Sequence, residues 1–116
     1  MTRHARGVAA EEAACAALLA EGWTVLGRRL RTRAGEVDVV AERAGLLAVI
    51  EVKRRDSLAT AAESVAPRQR ARLMAAAELL LAANPRWGEA GVRFDVIVVD
   101  AAGRVRRIAD AFRLGD

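Results

Sequence analysis

Apolar and polar residues alternate along the chain in a way that predicts two helices and five strands. Residues 8–21 are rich in alanine and are followed by Gly22, which predicts a helix that ends at a glycine C-cap. Residues 66–83 predict a second helix, with Pro67 in its first turn and an Asn-Pro pair after its end. Helices and strands of this length in one chain indicate an α/β fold.

The strands are predicted from runs of β-branched and alternating residues bounded by glycine-containing turns. They cover residues 23–33 (irregular past Gly27), 36–42, 46–54, 94–99 and 105–108. The resulting order is αβββαββ. At 116 residues the chain is predicted to form one domain, over residues 1–116.

Strand parity groups four charged residues on two neighbouring strands. Side chains alternate across a strand, so Glu36 and Asp38 share one face, and Glu51 and Lys53 share one face. If Ala44-Gly45 is a two-residue hairpin tip, Asp38 lies opposite Glu51 and Glu36 lies opposite Lys53. A three-residue bulged loop would instead turn these side chains to opposite faces.

Two opposed carboxylates repel each other unless a proton or a cation lies between them. Mg²⁺ prefers oxygen ligands, is held by one or two carboxylates, and completes its shell with water and phosphate. The alternative is a half-exposed hairpin with cross-strand ion pairs. Apolar residues on both faces of these strands indicate central strands, where unpaired carboxylates are costly, and this favours a site.

Composition narrows the chemistry further. The net charge is +4 and the isoelectric point about 10.8, which favours a polyanionic partner. Aromatic residues make up only 3% of the chain, so contacts to phosphate are favoured over stacking on bases. One histidine and one cysteine exclude a His/Cys zinc cluster and disfavour a nucleophilic triad. Lys53 is the only lysine among nineteen basic residues, and it lies two residues after Glu51.

No apolar run reaches membrane-spanning length and no signal-peptide core is present, so we expect a cytoplasmic protein with no membrane partner. Cys15, alone in an alanine-rich helix, is consistent with a reducing compartment.

Five ordered blocks of sequence resemble a known family. They are a helix with Glu12 ten residues before Gly22, the stretch Arg31 to Asp38, the strand Ile50 to Arg55, a helix start from Val65 to Leu73, and Arg93-Phe94-Asp95-Val96. Together they resemble the YraN-like family of predicted endonucleases. That family belongs to the PD-(D/E)xK nuclease superfamily and is similar in fold to Holliday-junction resolvases.

The resemblance implies a restriction-endonuclease-like core, αβββαβ, with a central mixed sheet flanked by helices. It also implies that Asp38 and Glu51 hold Mg²⁺ or Mn²⁺, with the Val52 carbonyl as a further ligand, and that Lys53 is the catalytic lysine. Glu12 is the acidic residue that the first helix would add, and an exposed helix charge is its alternative interpretation. The chain departs from the family pattern at Gln69, where a lysine is usual, and at Val37, which precedes Asp38 in place of proline.

Arginines near these blocks are candidates for contact with a nucleic-acid backbone. They are Arg31 and Arg33 before the turn and Arg68 and Arg72 in the second helix. The expected function is divalent-metal-dependent endonucleolytic hydrolysis of DNA, selective for branched or otherwise structured forms, with a homodimer left open. The alternative is a nuclease-fold module that binds nucleic acid or protein without cleavage.

Overall fold

A computed structural model of the chain describes residues 3–56 and 66–112, with side chains for residues 7–56 and 66–109. The elements are α1 (Arg3–Ala20), β1 (Thr24–Thr32), β2 (Gly35–Arg43), β3 (Leu46–Arg54), α2 (Pro67–Ala83), β4 (Gly91–Val99) and β5 (Val105–Phe112). The strands form one mixed sheet in the order β1-β2-β3-β4-β5, in which β3 and β4 are parallel and the other neighbours antiparallel. The predicted α/β class, with a central mixed sheet and two helices, is confirmed.

Three elements are longer than the sequence pattern predicts. Helix α1 begins at Arg3, because Gly7 weakens a helix without ending it when good helix formers flank it. Strand β4 begins at Gly91, where it pairs with Leu46 of β3, and β5 continues to Phe112. In both strands the extra residues are recruited by a neighbouring strand, which a local pattern does not reveal. Val65, in the predicted helix-start motif, lies outside the described residues.

The end of α1 confirms the predicted glycine C-cap. Gly22 has a φ of 86°, and its N–H donates to the Leu19 carbonyl at 3.1 Å. The Trp23 N–H donates to the Leu18 carbonyl at 3.0 Å, which completes a Schellman motif. This reversal of the chain buries the Trp23 side chain directly after the helix.

Each face of the sheet is covered by one helix, so the core has two halves. The half under α1 comprises Ala10, Ala14, Cys15, Leu18, Trp23, Val39, Ala41, Ala48, Ile50, Ile97 and Val99. The half under α2 comprises Val37, Val40, Leu47, Val49, Leu73, Ala76, Ala77, Phe94, Val96 and Val98. No helix among the described residues is long and apolar enough to cross a membrane.

Three arginines lie over the ring of the buried Trp23, at the core under α1. The guanidinium carbons of Arg43, Arg93 and Arg107 lie 4.6, 5.2 and 5.6 Å from its ring centroid, within cation–π range. Arg93 also pairs with the buried carboxylate of Asp95 at 3.0 Å. This accounts for Arg93 and Asp95, two polar residues of the Arg-Phe-Asp-Val block, as structural residues.

The β2–β3 hairpin has the predicted two-residue tip. Ala44 and Gly45 have φ values of 51° and 80°, as a tight hairpin turn requires. The ladder runs from Arg43↔Leu46 to Val39↔Ile50, in the predicted register. It stops there, whereas β2 continues to pair with β1 as far as Gly35.

Strict alternation fails at one residue beyond the end of this ladder. By strict alternation Val37 would share the face of Val39 and Ala41, but it packs with Val40 in the half of the core under α2. The β1–β2 hairpin is no longer held by β3 at this point, and its tip lies against α2. A Cβ at Gly35 would be 2.9 Å from Cγ and Cδ of Arg72.

Candidate metal centre

Strands β2 and β3 separate at Asp38. Where the β2–β3 ladder would continue, the Val52 N–H donates to Oδ2 of Asp38 at 2.8 Å, so that a side chain takes over the role of a backbone carbonyl. Glu51 shares its face of β3 with Val49, which packs under α2, and the Asp38 side chain lies within hydrogen-bonding reach of Glu51. The predicted juxtaposition of Asp38 and Glu51 is therefore present.

The two carboxyl groups are close enough to perturb each other. Burial raises the pKa of Asp38 from 3.8 to about 7, and a hydrogen bond with Glu51 and repulsion from its charge add to the rise. The Val52 N–H acts in the opposite direction, because it stabilises the ionised form of Asp38. At neutral pH Asp38 is therefore protonated for part of the time.

An orphaned oxygen marks where a cation fits. Oε2 of Glu51 is buried and has no hydrogen-bond partner, and the Glu51 side chain is only 11% exposed. Its nearest cation is Nη2 of Arg72 at 3.6 Å, too far for a hydrogen bond. A hard divalent cation that takes two carboxylate oxygens from the protein would satisfy this atom and relieve the repulsion with Asp38. The backbone of Val52 lies at the same point, and its carbonyl as a ligand stays a prediction.

Lys53 follows Glu51 on the same face of β3, as parity predicts. It is half-buried and takes part in no ion pair with another described residue. The expected opposition of Lys53 and Glu36 is wrong, because the β2–β3 ladder ends before Glu36. Glu36 instead pairs with Arg31 of β1, its partner in the β1–β2 register, at 3.5 Å.

Glu12, the acidic residue expected from the first helix, is exposed on α1. The described residues contain no group of three acidic, histidine or cysteine side chains arranged around a metal position, so Glu12 does not join Asp38 and Glu51 in one. The carboxylate that α1 buries is the neighbouring Glu11, which is 8% exposed. Its Oε1 accepts a hydrogen bond from Nε of Arg29 at 2.9 Å.

Glu11 and Arg29 were missed by sequence reasoning, although helix periodicity carries the signal for Glu11. Ala14, Cys15 and Leu18 form the buried stripe of α1, and Glu11 precedes them by three, four and seven residues. Glu12 is rotated away from this stripe. Arg29 lies between the β1 residues that pair with Val39 and Val37, which places it opposite Asp38 on β2.

Glu11, Arg29, Arg31 and Glu36, together with Gly7, line a cleft of about 210 Å³. The cleft lies between α1, β1 and the N-terminal end of β2. Four of its five lining residues are charged, so the cleft is polar.

The four arginines predicted to contact nucleic acid differ in position. Arg31, Arg33 and Arg68 are exposed, the first two near the tip of the β1–β2 hairpin and the third in the first turn of α2. Arg72 is one turn further along α2 and reaches the carboxylate site. The structure therefore brings Arg72, and not the other three, into contact with Glu51.

Fold and site together define a mixed α/β protein with two largely buried carboxylates and a lysine where its two central strands separate. The uncharacterised protein family UPF0102 has a model that matches residues 10–99, and the chain belongs to this family. The YraN-like part of the resemblance is thereby confirmed.

Relatives in several bacteria match almost the whole chain. It is 61% identical to a UPF0102 protein of Granulibacter bethesdensis over 110 residues, which are 95% of this chain and 70% of the relative. It is 51% identical to one of Azorhizobium caulinodans, with 96% of this chain and 85% of the relative covered. For one of Acidiphilium cryptum the identity is 49%, over 96% and 86% of the two chains.

Proposed function

We propose that this protein is a divalent-metal-dependent endonuclease of the PD-(D/E)xK type with a restriction-endonuclease-like core, and that its substrate is DNA. The observation that carries the proposal is the orphaned Glu51 oxygen beside Asp38, on the face that also presents Lys53. Buried carboxylates in this arrangement lower stability in the absence of a cation, so a functional role explains them better than a structural one.

Asp38 and Glu51 would hold Mg²⁺ or Mn²⁺, with water and a substrate phosphate as the remaining ligands. Such a cation supplies polarisation of the phosphodiester and a more acidic water molecule. The chain's own residues orient the reactants. The Val52 N–H fixes the Asp38 carboxylate, and Lys53 offsets the negative charge that develops on the phosphoryl oxygens and positions the attacking water.

The arginines suit a polyanionic substrate. Exposed guanidinium groups at the hairpin tip and at the start of α2 would contact successive backbone phosphates, which position a duplex without reading its sequence. Selectivity for branched or structured DNA is part of the proposal, because these contacts depend on the path of the backbone and not on base identity.

The decisive variant is Glu51→Gln, which keeps the size of the side chain and removes the charge. We expect Mn²⁺ binding to be lost and Mn²⁺-dependent cleavage to fall at least about 100-fold, because a carboxamide is a poor ligand for a hard cation. The cleavage assay tests supercoiled, linear and four-way-junction DNA, as well as RNA. Mn²⁺ binding is measured separately by calorimetry.

Glu89→Gln is the matched control, since Glu89 is an exposed carboxylate that loses the same charge in the loop before β4. Equal cleavage by Glu51→Gln and Glu89→Gln would show that the activity comes from elsewhere. Salt-dependent DNA binding without cleavage of any substrate would instead favour a binding module.

A further inference from the structure

The ion pair between Arg72 and Glu51 is unusually incomplete for so buried a carboxylate. Their closest atoms, Nη2 and Oε2, are 3.6 Å apart, and Oε2 has no hydrogen bond. Arg72 therefore offsets the charge of Glu51 without satisfying its oxygen. A contact of this kind is easily given up when a better partner for Oε2 arrives.

The path of Arg72 to the site is built into the backbone. Gly35 has a φ of 142°, and a Cβ there would be 2.9 Å from Cγ and Cδ of Arg72 and 3.2 Å from Nη1. The side chain thus lies against the tip of the β1–β2 hairpin on its way from α2 to Glu51. The hairpin tip bounds the Arg72 side chain on one side but does not enclose it, because that side chain remains 40% exposed.

Arg72 therefore has two available positions for its charge. One side of the guanidinium faces Glu51, and that carboxylate is the only described residue with which Arg72 forms an ion pair. The side chain is 40% exposed, so part of the guanidinium is open to solvent and to a phosphodiester backbone that approaches α2. A guanidinium offers a planar set of five donors, which matches a phosphate better than it matches one distant carboxylate oxygen.

We propose that Arg72 is an exchangeable counter-cation of the carboxylate site. In the metal-free protein it offsets the charge of Glu51; when a divalent cation is bound between Asp38 and Glu51, Arg72 is released to a phosphate of the nucleic-acid backbone. The inference rests on the proposed function. It adds that metal and nucleic acid bind cooperatively, and that one side chain couples them.

The first test measures Mn²⁺ affinity by calorimetry in the absence of nucleic acid. Arg72→Gln removes the competing cation, so we expect Mn²⁺ to bind roughly fivefold more tightly than to the wild type. Arg68→Gln, an exposed arginine one turn earlier on α2, is the control for simple loss of charge, and its effect should stay below about twofold. Arg72→Lys should lie between wild type and Arg72→Gln.

The second test measures affinity for a DNA duplex, in EDTA and in Ca²⁺ as an oxygen-seeking ion used for binding. Arg72→Gln should weaken DNA binding in Ca²⁺ by roughly tenfold and leave it almost unchanged in EDTA, since Arg72 stays with Glu51 when no metal is bound. Arg68→Gln should weaken binding equally under both conditions.

The two proposals fail in different ways. Unchanged or weaker Mn²⁺ binding by Arg72→Gln, or an equal loss of DNA affinity with and without Ca²⁺, overturns the exchange while Glu51→Gln still reports on the metal site. Absence of Mn²⁺ binding by the wild type overturns the proposed function and the exchange together.

Discussion

The ionisation of Asp38 is subject to two influences that act in opposite directions. The Val52 N–H favours the ionised carboxylate, whereas burial and Glu51 favour the protonated one, and the second influence prevails because the pKa of Asp38 rises to about 7. Between about pH 4 and pH 7, Asp38 is therefore mostly protonated in the folded protein and mostly ionised in the unfolded chain. The group is stabilising only while it remains protonated.

This arrangement predicts how stability depends on pH and on Asp38. A raised carboxyl pKa contributes stability that is complete below about 4 and is lost as the pH rises through about 7. Urea unfolding of the metal-free protein should therefore show a decrease on the order of 2–3 kcal/mol between pH 5 and pH 8. Asp38→Asn, whose amide oxygen still accepts from Val52, should remove this decrease.

Asp56→Asn is the control for the pH series, because Asp56 is an exposed carboxylate two residues after the end of β3. Asp38→Asn should exceed the wild type in stability at pH 8 while losing Mn²⁺ binding. A variant less stable than the wild type at pH 8 would mean that the Asp38 charge is already compensated in the folded protein.

Single residues were predictable from sequence to different degrees. The shared face of Glu51 and Lys53 followed from strand parity, and the closeness of Asp38 and Glu51 followed from the two-residue hairpin tip. Both depend on neighbours in sequence. Glu11 was missed in favour of Glu12, although the buried stripe of α1 points to Glu11. Its partner Arg29 was not predictable, since that contact joins two elements whose packing the local pattern does not specify.

At the level of elements, the β2–β3 hairpin supports the site at one end and is closed by a strained turn at the other. Its register followed from the two-residue tip, but the end of its ladder at Val39 and Ile50 did not. That end is determined by the Asp38 side chain bonding to the Val52 backbone, a tertiary contact. The lengths of β4 and β5 were underestimated for a similar reason, because neighbouring strands extend them.

The turn of this hairpin predicts a stabilising substitution. Ala44 has a φ of 51°, a conformation that glycine adopts without penalty and alanine does not. We expect Ala44→Gly to raise the free energy of unfolding by about 0.5–1 kcal/mol and to leave Mn²⁺ affinity unchanged, as measured by urea denaturation and calorimetry.

Ala102→Gly is the matched control, since Ala102 is an exposed turn residue without a positive φ. That variant should be neutral or slightly destabilising, because glycine only adds freedom to the unfolded chain there. A loss of stability in Ala44→Gly comparable to that of Ala102→Gly would show that the turn is not strained.

For the whole molecule, the arginines divide into two kinds by their surroundings. Arg43, Arg93 and Arg107 surround Trp23 beside the core under α1 and have structural partners. Arg33 and Arg68 are exposed near the hairpin tip and at the start of α2. The net charge of +4 is thus partly structural, whereas exposed arginines such as Arg33 and Arg68 are available to a polyanion.

Salt dependence distinguishes the two kinds of arginine in solution. Removing one arginine that binds a phosphate should make the slope of log affinity against log salt shallower by about 0.9, and we expect this change for Arg33→Gln. Arg86→Gln removes an exposed arginine from the loop after α2 and should leave the slope unchanged. Equal slopes for both variants and the wild type would place the DNA-binding surface elsewhere on the protein.

The bond from Val52 to Asp38 also makes one backbone amide a spectroscopic reporter. The chemical shift of an amide proton depends on its hydrogen-bond acceptor, and it changes when a carboxylate acceptor gains or loses its charge. In a ¹⁵N–¹H correlation spectrum of uniformly ¹⁵N-labelled protein, the Val52 signal would follow the ionisation of Asp38, and separately the binding of a metal ion, without any probe attached to the site. The Val52 amide therefore reports, from within the sheet, on the place where β2 and β3 separate.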